Sequence, residues 1–282
     1  MAFVVNTNIS SMTAQRSLAS STNALSNTFK RLSSGLRINS AADDAAGLSI
    51  SDRMTAQIRG FNQSVRNAND TISLIQVAEG ALTETTSALQ RIRELAVASA
   101  NDTFVQSDRS DMQKEVTQLI SEVTRIAVNT QFNGQNLLSG AFSAGKVFHV
   151  GANSGQTIMV SITNMTARAL GVSTDRINFG NSTTSATNQV LAENAITIID
   201  LAIKSVTNMR ATMGAMQNRF EAAINSLSNV SLNTSNARSR VLDADMAAET
   251  AKLTQNSILQ QAGTAILAQA NQQPAVILQL LK

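Results

Sequence analysis

The chain has no cysteine, no tryptophan and no tyrosine, and only one proline and one histidine in 282 residues. Each gap removes something. Without cysteine there are no disulfides, thiolate metal sites or Cys/His nucleophile pairs. A lone histidine, His149, leaves the common His/Cys metal sites unfilled. With Pro274 the only proline, long helices can run without kinks. Aromatics make up 3% of the chain, so aliphatic and alanine packing must supply the core. Charged residues are 15%, against roughly 25% in an average globular chain. Ser, Thr, Asn and Gln fill the difference, and such a surface lets like subunits stack without strong repulsion.

The net charge of +3 comes without a basic stripe or interleaved aromatics, which argues against nucleic acid. No run approaches the roughly 18 apolar residues of a membrane span. The opening MAFVVNTNISSMTAQRS lacks the basic and apolar regions of a secretory signal, so composition alone points to the cytoplasm. No phosphate loop, serine elbow or dinucleotide fingerprint occurs. Asp43 and Asp44 read as helix caps before they read as an acid–base pair. Asp243 and Asp245 read as helix-end residues rather than a metal-binding DxD. The expectation is a protein without cofactor, metal or catalytic centre.

What the sequence does have is helical periodicity. From Met54 the apolar positions are Met54, Ile58, Phe61, Val65, Ala68, Ile72, Ile75, Leu82, Leu89 and Ile92, a coiled-coil spacing of three and four. Met112, Val116, Leu119, Val123 and Ile126 repeat it. The longest seam is Leu191, Ala195, Ile198, Ala202, Ser205, Met209, Met216, Phe220, Ala223, Leu227, Val230, Thr234, Ala237 and Val241. At 1.5 Å per residue it spans on the order of 75 Å, which suits a rod better than a globule. Met209, Met213 and Met216 share one stripe, read as core. Residues 101–109 break the first two helices, with Asp102, Ser107 and Asp108 as caps.

The middle differs. Seven of the 13 glycines (Gly134, Gly140, Gly145, Gly151, Gly155, Gly171 and Gly180) fall between residues 131 and 189. Two β-type runs, 146–150 and 157–162, flank a turn-rich link at 151–155 and predict a β-hairpin carrying His149. Residues 178–188 read as a polar surface loop. The ends mirror each other. Leu18, Leu25, Phe29, Leu32 and Leu36 form one seam; Ile258, Leu259, Ala262, Ile266, Leu267 and Ala270 form another, with Leu280 beyond. Neither end is stable as an isolated helix, so each needs a partner: the other end, a neighbouring copy, or both.

Between the first end and the first long seam lies LSSGLRINSAADDAAGLSISDRM, residues 32–54. Gly35, Gly47 and the serines favour helix ends. Asn39, Ser40, Asp43 and Asp44 can cap the helix that follows.

This run resembles the segment joining the filament-core helix to the outer rod in bacterial flagellins. The resemblance continues in NTNISSMTAQRSL, QRIRELAVASAN, QFNGQNLLSG, ARSRVLDADMAAET and SILQQAGTAILAQANQQPAVILQLL. It covers roughly the first 140 and the last 90 residues. A helical adaptor or coiled-coil signalling module would account for the seams but not for the paired ends. The hook–filament junction protein shares weak similarity at both ends but not the full set of motifs.

The resemblance implies a short flagellin without large outer domains. Its fold would be mainly α: a long-helix, coiled-coil-like rod bundle with a small β-hairpin region, plus a terminal helical-pair core domain. Residues 1–43 would be the N-terminal filament-core helix and start of the spoke, and 44–130 the N-terminal rod helices. Residues 131–189 would be the hairpin and surface loop, 190–240 the C-terminal rod helix, and 241–282 the spoke end and second core helix. Leu18, Leu25, Phe29, Leu32, Ile258, Ala262, Ile266 and Leu280 would form the polymerisation core, and Gly35, Asp43, Asp44 and Gly47 the joint.

By the same resemblance the subunit polymerises with itself into the helical filament used for swimming. It leaves the cell through the flagellum's type III export channel without a cleaved signal. An export chaperone covers its C-terminal segment, and hook–filament junction and filament cap proteins meet the polymer. Arg91, Leu95 and Glu115 match the pattern detected by a host flagellin receptor, although Ala98 stands where glutamine is common. Ser143, Ser154, Ser173, Ser182, Thr183, Thr184 and Ser185 are candidate O-glycosylation positions, and Asn181-Ser182-Thr183 fits an N-glycosylation sequon.

Overall fold

The computed structural model describes residues 7–179 and 185–280, with side chains described for all but 185–187 and 273–280. Helices α1 (Ile9–Ser34), α2 (Ala45–Ser99) and α3 (Gln106–Asn129) come first. Short strands β1 (Gln131–Phe132), β2 (Gln135–Asn136), β3 (Lys146–His149) and β4 (Thr157–Val160) follow, then α4 (Ser185–Leu242) and α5 (Met246–Leu280). The chain is mainly α, as its seams imply. It divides into two compact units: Arg59–Ser231, and Met1–Ile58 with Leu232–Lys282. These divisions fall inside α2 and α4, whereas the sequence reading places its boundaries at 43–44 and 240–241.

In the unit Arg59–Ser231, three helix faces converge. Ile75, Leu82, Leu89, Ile92 and Leu95 of α2 meet Val116, Ile120 and Val123 of α3 and Ile199, Val206, Met213 and Phe220 of α4. The α2 seam matches expectation closely; on α3, Ile120 and Ala127 are buried where Leu119 and Ile126 were expected. The α4 seam is displaced at alternate positions. Ala192, Ile199 and Val206 are buried where Leu191, Ile198 and Ser205 were expected, and Ser205 is exposed. α4 lies against two helices, so its apolar arc is wider than one seam, and adjacent apolar residues compete for the inner position.

The segment between α3 and α4 contributes to the core. Leu137, Leu138, Phe142, Ile162, Ile177 and Phe179 are fully buried, and Phe142 and Phe179 are among the largest enclosed side chains. Residues 178–188 are therefore no simple surface loop: Phe179 and Asn188 are buried, and α4 has begun by 185. Gln113 of α3 clamps this stretch. Its Nε2 donates to the Ile177 carbonyl at 3.0 Å, and its Oε1 accepts from the Phe179 N–H at 3.0 Å.

Two antiparallel hairpins form, β1–β2 and β3–β4. The second pairs Lys146 with Val160 and His149 with Thr157; it is shorter than the runs predict by Val150 at the turn and by Ser161 and Ile162 at the open end. Ser64 of α2 donates to the Gly151 carbonyl at 2.8 Å, and the Asn67 amide donates to the His149 carbonyl at 3.2 Å. The turn of the hairpin is thus held on α2. The β1–β2 hairpin turns through Asn133 (φ 48°) and Gly134 (φ 76°), a left-handed pair typical of a two-residue loop. Its signal, Asn-Gly between paired residues, was present in the sequence.

Residues 101–105 link α2 to α3. Asp108 does cap α3, accepting from the Val105 N–H at 3.2 Å. The larger device is Arg109, 2% exposed. Its Nε donates to the Ser99 carbonyl at 3.1 Å, one terminal nitrogen donates to the Asn101 carbonyl at 3.1 Å, and Asp102 stands 3.6 Å away. A guanidinium thereby ties off the negative C-terminal end of α2 from inside the unit.

In the other unit α1 and α5 pack as an antiparallel pair. Asn8 donates to the Ala270 carbonyl at 2.7 Å, the Ser11 hydroxyl donates to Asn271 at 2.7 Å, and Arg31 pairs with Glu249 at 3.4 Å. The facing positions on α1 are Ser11, Ala14, Leu18, Ser21, Leu25, Thr28 and Leu32; on α5 they are Glu249, Leu253, Asn256, Gln260, Gly263, Leu267 and Ala270. Both follow three–four spacing, as coiled-coil packing requires.

Candidate functional site

The α1–α5 pair sorts the expected polymerisation residues into two groups. Leu18, Leu25 and Leu32 lie half-buried on the α1 face turned to α5. Phe29, Ile258, Ala262 and Ile266 do not; they are exposed. The side chain of Leu280 lies outside the described residues. The expectation of one seam per end is corrected accordingly. The intramolecular seam mixes small and polar residues with half-buried leucines, and Phe29, Ile258, Leu259 and Ile266 face outward. Ile258, Leu259, Ala262 and Ile266 recur at a spacing that keeps them on one side of α5. Ile9 and Met12 are exposed on α1. A groove of about 380 Å³ lined by Ile9, Thr13, Ala14, Ser17, Gly263 and Ile266 runs along this side of the pair.

The break between α1 and α2 covers residues 35–44, shorter than the 32–54 run suggests. Gly35 ends α1 in the left-handed region (φ 71°), donating to the Arg31 carbonyl at 2.9 Å. Leu36 and Asp243 then form an isolated antiparallel bridge, flanked by bonds from Arg37 N–H to the Leu242 carbonyl (2.7 Å) and from Ala244 N–H to the Gly35 carbonyl (2.9 Å). The outgoing and returning chain are therefore stitched backbone to backbone. The Arg37 guanidinium adds a bond to the Val241 carbonyl at 2.7 Å.

Capping here differs from expectation. Asn39 and Ser40 do not cap α2. The Asn39 amide reaches back to α1, donating to the Lys30 carbonyl (3.3 Å) and the Ser34 hydroxyl (2.8 Å). The Asp43 carboxylate closes the loop on itself, accepting from the Ser40 hydroxyl and from the Asn39 and Ser40 N–H groups at 3.0 to 3.1 Å. These donors, the Ser40 hydroxyl first, hold the Asp43 pKa below its ordinary value. Asp44 is the cap of α2, accepting from the Gly47 N–H at 2.8 Å. A Cβ on Gly47 would run into this carboxylate and sit 2.7 Å from the buried Ile38 side chain. At the return, Asp245 caps α5 through the Ala247 and Ala248 N–H groups at 2.9 and 3.2 Å.

The third group lies on α2 and α3. Arg91 is half-exposed and bonds Glu115 at 2.8 Å and Glu94 at 3.1 Å. These carboxylates, Glu115 first, raise the Arg91 pKa. Leu95 does not join them at the surface. At 6% exposure it belongs to the core, because it continues the seam through Leu82, Leu89 and Ile92. Arg93, on another side of α2, bonds Asp200 of α4 at 2.7 Å.

Ser143 and Ser154 are exposed, and Ser173 is half-buried in a turn. Ser182, Thr183, Thr184 and the sequon lie outside the described residues, as does the side chain of Ser185. His149 is exposed on β3. Among the described residues no three His, Asp or Glu side chains gather as metal ligands would, and no helix is long and apolar enough to cross a membrane.

An antiparallel terminal pair that leaves Phe29, Ile258, Leu259 and Ile266 outside fits a class: helical structural proteins whose copies assemble. Comparison with known proteins agrees. The family described as the bacterial flagellin N-terminal helical region matches residues 5–143, and the bacterial flagellin C-terminal helical region matches residues 196–281. The flagellin of Halalkalibacterium halodurans is 46% identical over 279 residues, covering 99% of this chain and 100% of that one. The flagellar filament 33 kDa core protein of Treponema phagedenis is 45% identical, covering 99% and 100%. The flagellin of Bacillus subtilis is 43% identical, covering 99% of each. The chain belongs to the bacterial flagellin family. It is a structural subunit of the bacterial flagellar filament, not an enzyme.

Proposed function

We propose that this subunit polymerises by burying the outer apolar faces of its α1–α5 pair against neighbouring copies. The observation that carries this is the exposed stripe Ile258, Leu259, Ala262 and Ile266 beside the Ile9–Ile266 groove. A contact that repeats without closing yields an open helical polymer. Residues 1–43 and 241–282 supply the core, 44–130 and 190–240 the rod, and 131–189 the outward hairpin region. Replacing Ile258 and Ile266 together by serine tests the contact. Each isoleucine forfeits roughly 1.5–3 kcal/mol of burial, so the concentration needed for seeded elongation rises about a hundredfold or more while α1–α5 pairing persists. Elongation at the parental concentration refutes it. Truncation of residues 1–43 or 245–282 abolishes assembly and leaves the rod helical.

The same stripe is what an export chaperone would cover before assembly, and filament cap and hook–filament junction proteins would meet it at the polymer ends. Export through the flagellar channel without a cleaved signal places the filament outside the cell. Gly35, Asp43, Asp44 and Gly47 set the joint, so substitutions at Gly35, Asp43 and Gly47 alter filament shape or assembly before they unfold the rod.

The host-receptor patch is reduced to Arg91 and Glu115, with Leu95 acting through the position of α2. Reporter cells exposed to Arg91→Ala monomer show reduced activation; equal activation removes the patch. Glycan, if attached, sits at the exposed Ser143 and Ser154 or within 173–185. An intact filament-subunit mass of 29.8 kDa removes that idea.

A further inference from the structure

The chain holds one Asn-Gly pair, Asn133-Gly134. It forms the two-residue turn of β1–β2, and both residues are exposed. Among the described residues, nothing bonds the Asn133 carboxamide or the Gly134 N–H. Glycine also leaves that nitrogen unshielded by a Cβ. The described Asn-Ser pairs differ. At Asn39-Ser40 the Ser40 N–H donates to Asp43 at 3.0 Å, and the Asn39 amide donates to the Ser34 hydroxyl at 2.8 Å. Asn225-Ser226 and Asn256-Ser257 lie inside α4 and α5, where backbone N–H groups serve the helix. Asn153-Ser154 is exposed in the β3–β4 turn, but a serine Cβ flanks its nitrogen.

We propose that Asn133 is a spontaneous modification site, whose loss of the carboxamide marks the age of the subunit and loosens this turn. β1 and β2 pair at only two positions, so the hairpin opens locally with ease. On opening, hydroxide removes the Gly134 amide proton. The nitrogen attacks Asn133 Cγ, closing a five-membered succinimide, and the Cγ–Nδ2 bond breaks. Nδ2 leaves as ammonia after taking a proton from water, which regenerates the hydroxide. Water then adds to one imide carbonyl and opens the ring. Opening at Cγ gives aspartate; opening at the Asn133 backbone carbonyl carbon gives isoaspartate, whose main chain runs through Cβ and Cγ. Either product places a carboxylate on the groove of about 310 Å³ that Asn133 shares with Lys146. Isoaspartate also lengthens the backbone of a turn whose two-residue length sets the strand register. Directly after β2, Leu137 donates its N–H to the Thr130 carbonyl at 3.0 Å, and it is fully buried with Leu138. Loss of register at the turn weakens that anchor.

The test incubates full-length monomer in mildly alkaline buffer and follows each asparagine by peptide mass mapping. Protein isoaspartyl methyltransferase with labelled S-adenosylmethionine counts the isoaspartate. Asn133 converts about tenfold faster than Asn153, whose neighbour carries a Cβ, and the label falls on the peptide that contains it. Aged parent melts lower than fresh parent by roughly 2–4 °C, and repair by the methyltransferase restores the midpoint. Asn133→Gly keeps the left-handed turn without an amide, and its midpoint does not move on ageing. An Asn133 that stays intact in the folded protein while the urea-unfolded chain converts overturns the inference. So does converted parent that melts with the fresh protein, or an Asn133→Gly protein that ages as the parent does.

Discussion

Replacing Arg109 by methionine should destabilise the unit Arg59–Ser231 more than any surface ion pair can. The side chain is buried and bonds two carbonyls, Ser99 and Asn101, both at 3.1 Å. Hydrogen bonds from a charged donor contribute about 1.5–3 kcal/mol each. Ser99 is fully buried, so its carbonyl loses its bond without replacement by water; Asn101 is exposed and recovers part of its loss. Loss of a cation at the α2 C-terminus adds about 0.5 kcal/mol. Against this, methionine removes the cost of burying a guanidinium whose carboxylate partner, Asp102, is largely exposed at 3.6 Å. The balance is a loss of about 2–4 kcal/mol. In a unit of this size that lowers the melting midpoint by roughly 5–10 °C, read by circular dichroism on monomer alongside urea titration. Asp102→Asn removes only the exposed partner and costs under about 1 kcal/mol. The reasoning fails if Arg109→Met melts within a degree of the parent, or if Asp102→Asn matches it.

Gly35→Ala forces a Cβ into the left-handed region that ends α1 (φ 71°) and costs about 1 kcal/mol, seen as a lower urea midpoint for the terminal pair. Asp44→Ala removes the α2 cap and costs about 1 kcal/mol in the same titration, whereas Asn39→Ala leaves the α2 start unchanged. The Glu249 carboxylate, buried beside Lys252 and Arg31, has its pKa lowered, chiefly by the Lys252 bond. Its folded-state value lies below the unfolded one, so its contribution is complete above the ordinary carboxylate range and is lost as pH falls through the lowered value. Glu249→Gln therefore flattens the acid-side decline in α1–α5 stability; an unchanged pH profile contradicts the assignment.

Periodicity made the α2 seam legible because that helix repeats one dominant stripe through Ile75, Leu82, Leu89 and Ile92. It misplaced alternate positions on α3 and α4, where pairs such as Leu119-Ile120, Leu191-Ala192 and Ile198-Ile199 offer adjacent apolar residues for one inner position. The β3–β4 hairpin was readable from its turn-rich link. The core role of Phe142, Ile177 and Phe179 was not, because a Gly-rich composition resembles a surface loop whether or not its apolar residues turn inward. Arg109 was hidden for a related reason: charge is read as surface unless the carbonyls that need it are known, and those lie eight and ten residues upstream. Asp43 and Asp44 were recognisable as capping residues, but their division of labour depends on a turn that places one over Ser40 and the other over Gly47.

The terminal pair shows where pattern reading misleads and why. Periodicity placed Phe29 in one seam with Leu18 and Leu25, and Ile258 and Ile266 in a second with Leu267, and could not divide either between the other end and a neighbouring copy. In this unit the inward seam is built from Ser11, Ala14, Ser21, Thr28 and Gly263, with leucines only half-covered. Gly263 permits the Leu18 side chain to lie against α5; a Cβ there would sit 3.3 Å from it. Small residues bring helices close but remove little apolar area from water, so the pair gains modestly from closing on itself. The larger gain is held in Ile9, Met12, Ile258, Leu259 and Ile266, which stay exposed among the described residues. A chain arranged this way is stabilised further by each neighbour that reaches those faces. On the assembly proposed above, weak closure within the monomer and burial between copies are one design, in which folding of the ends is completed by assembly.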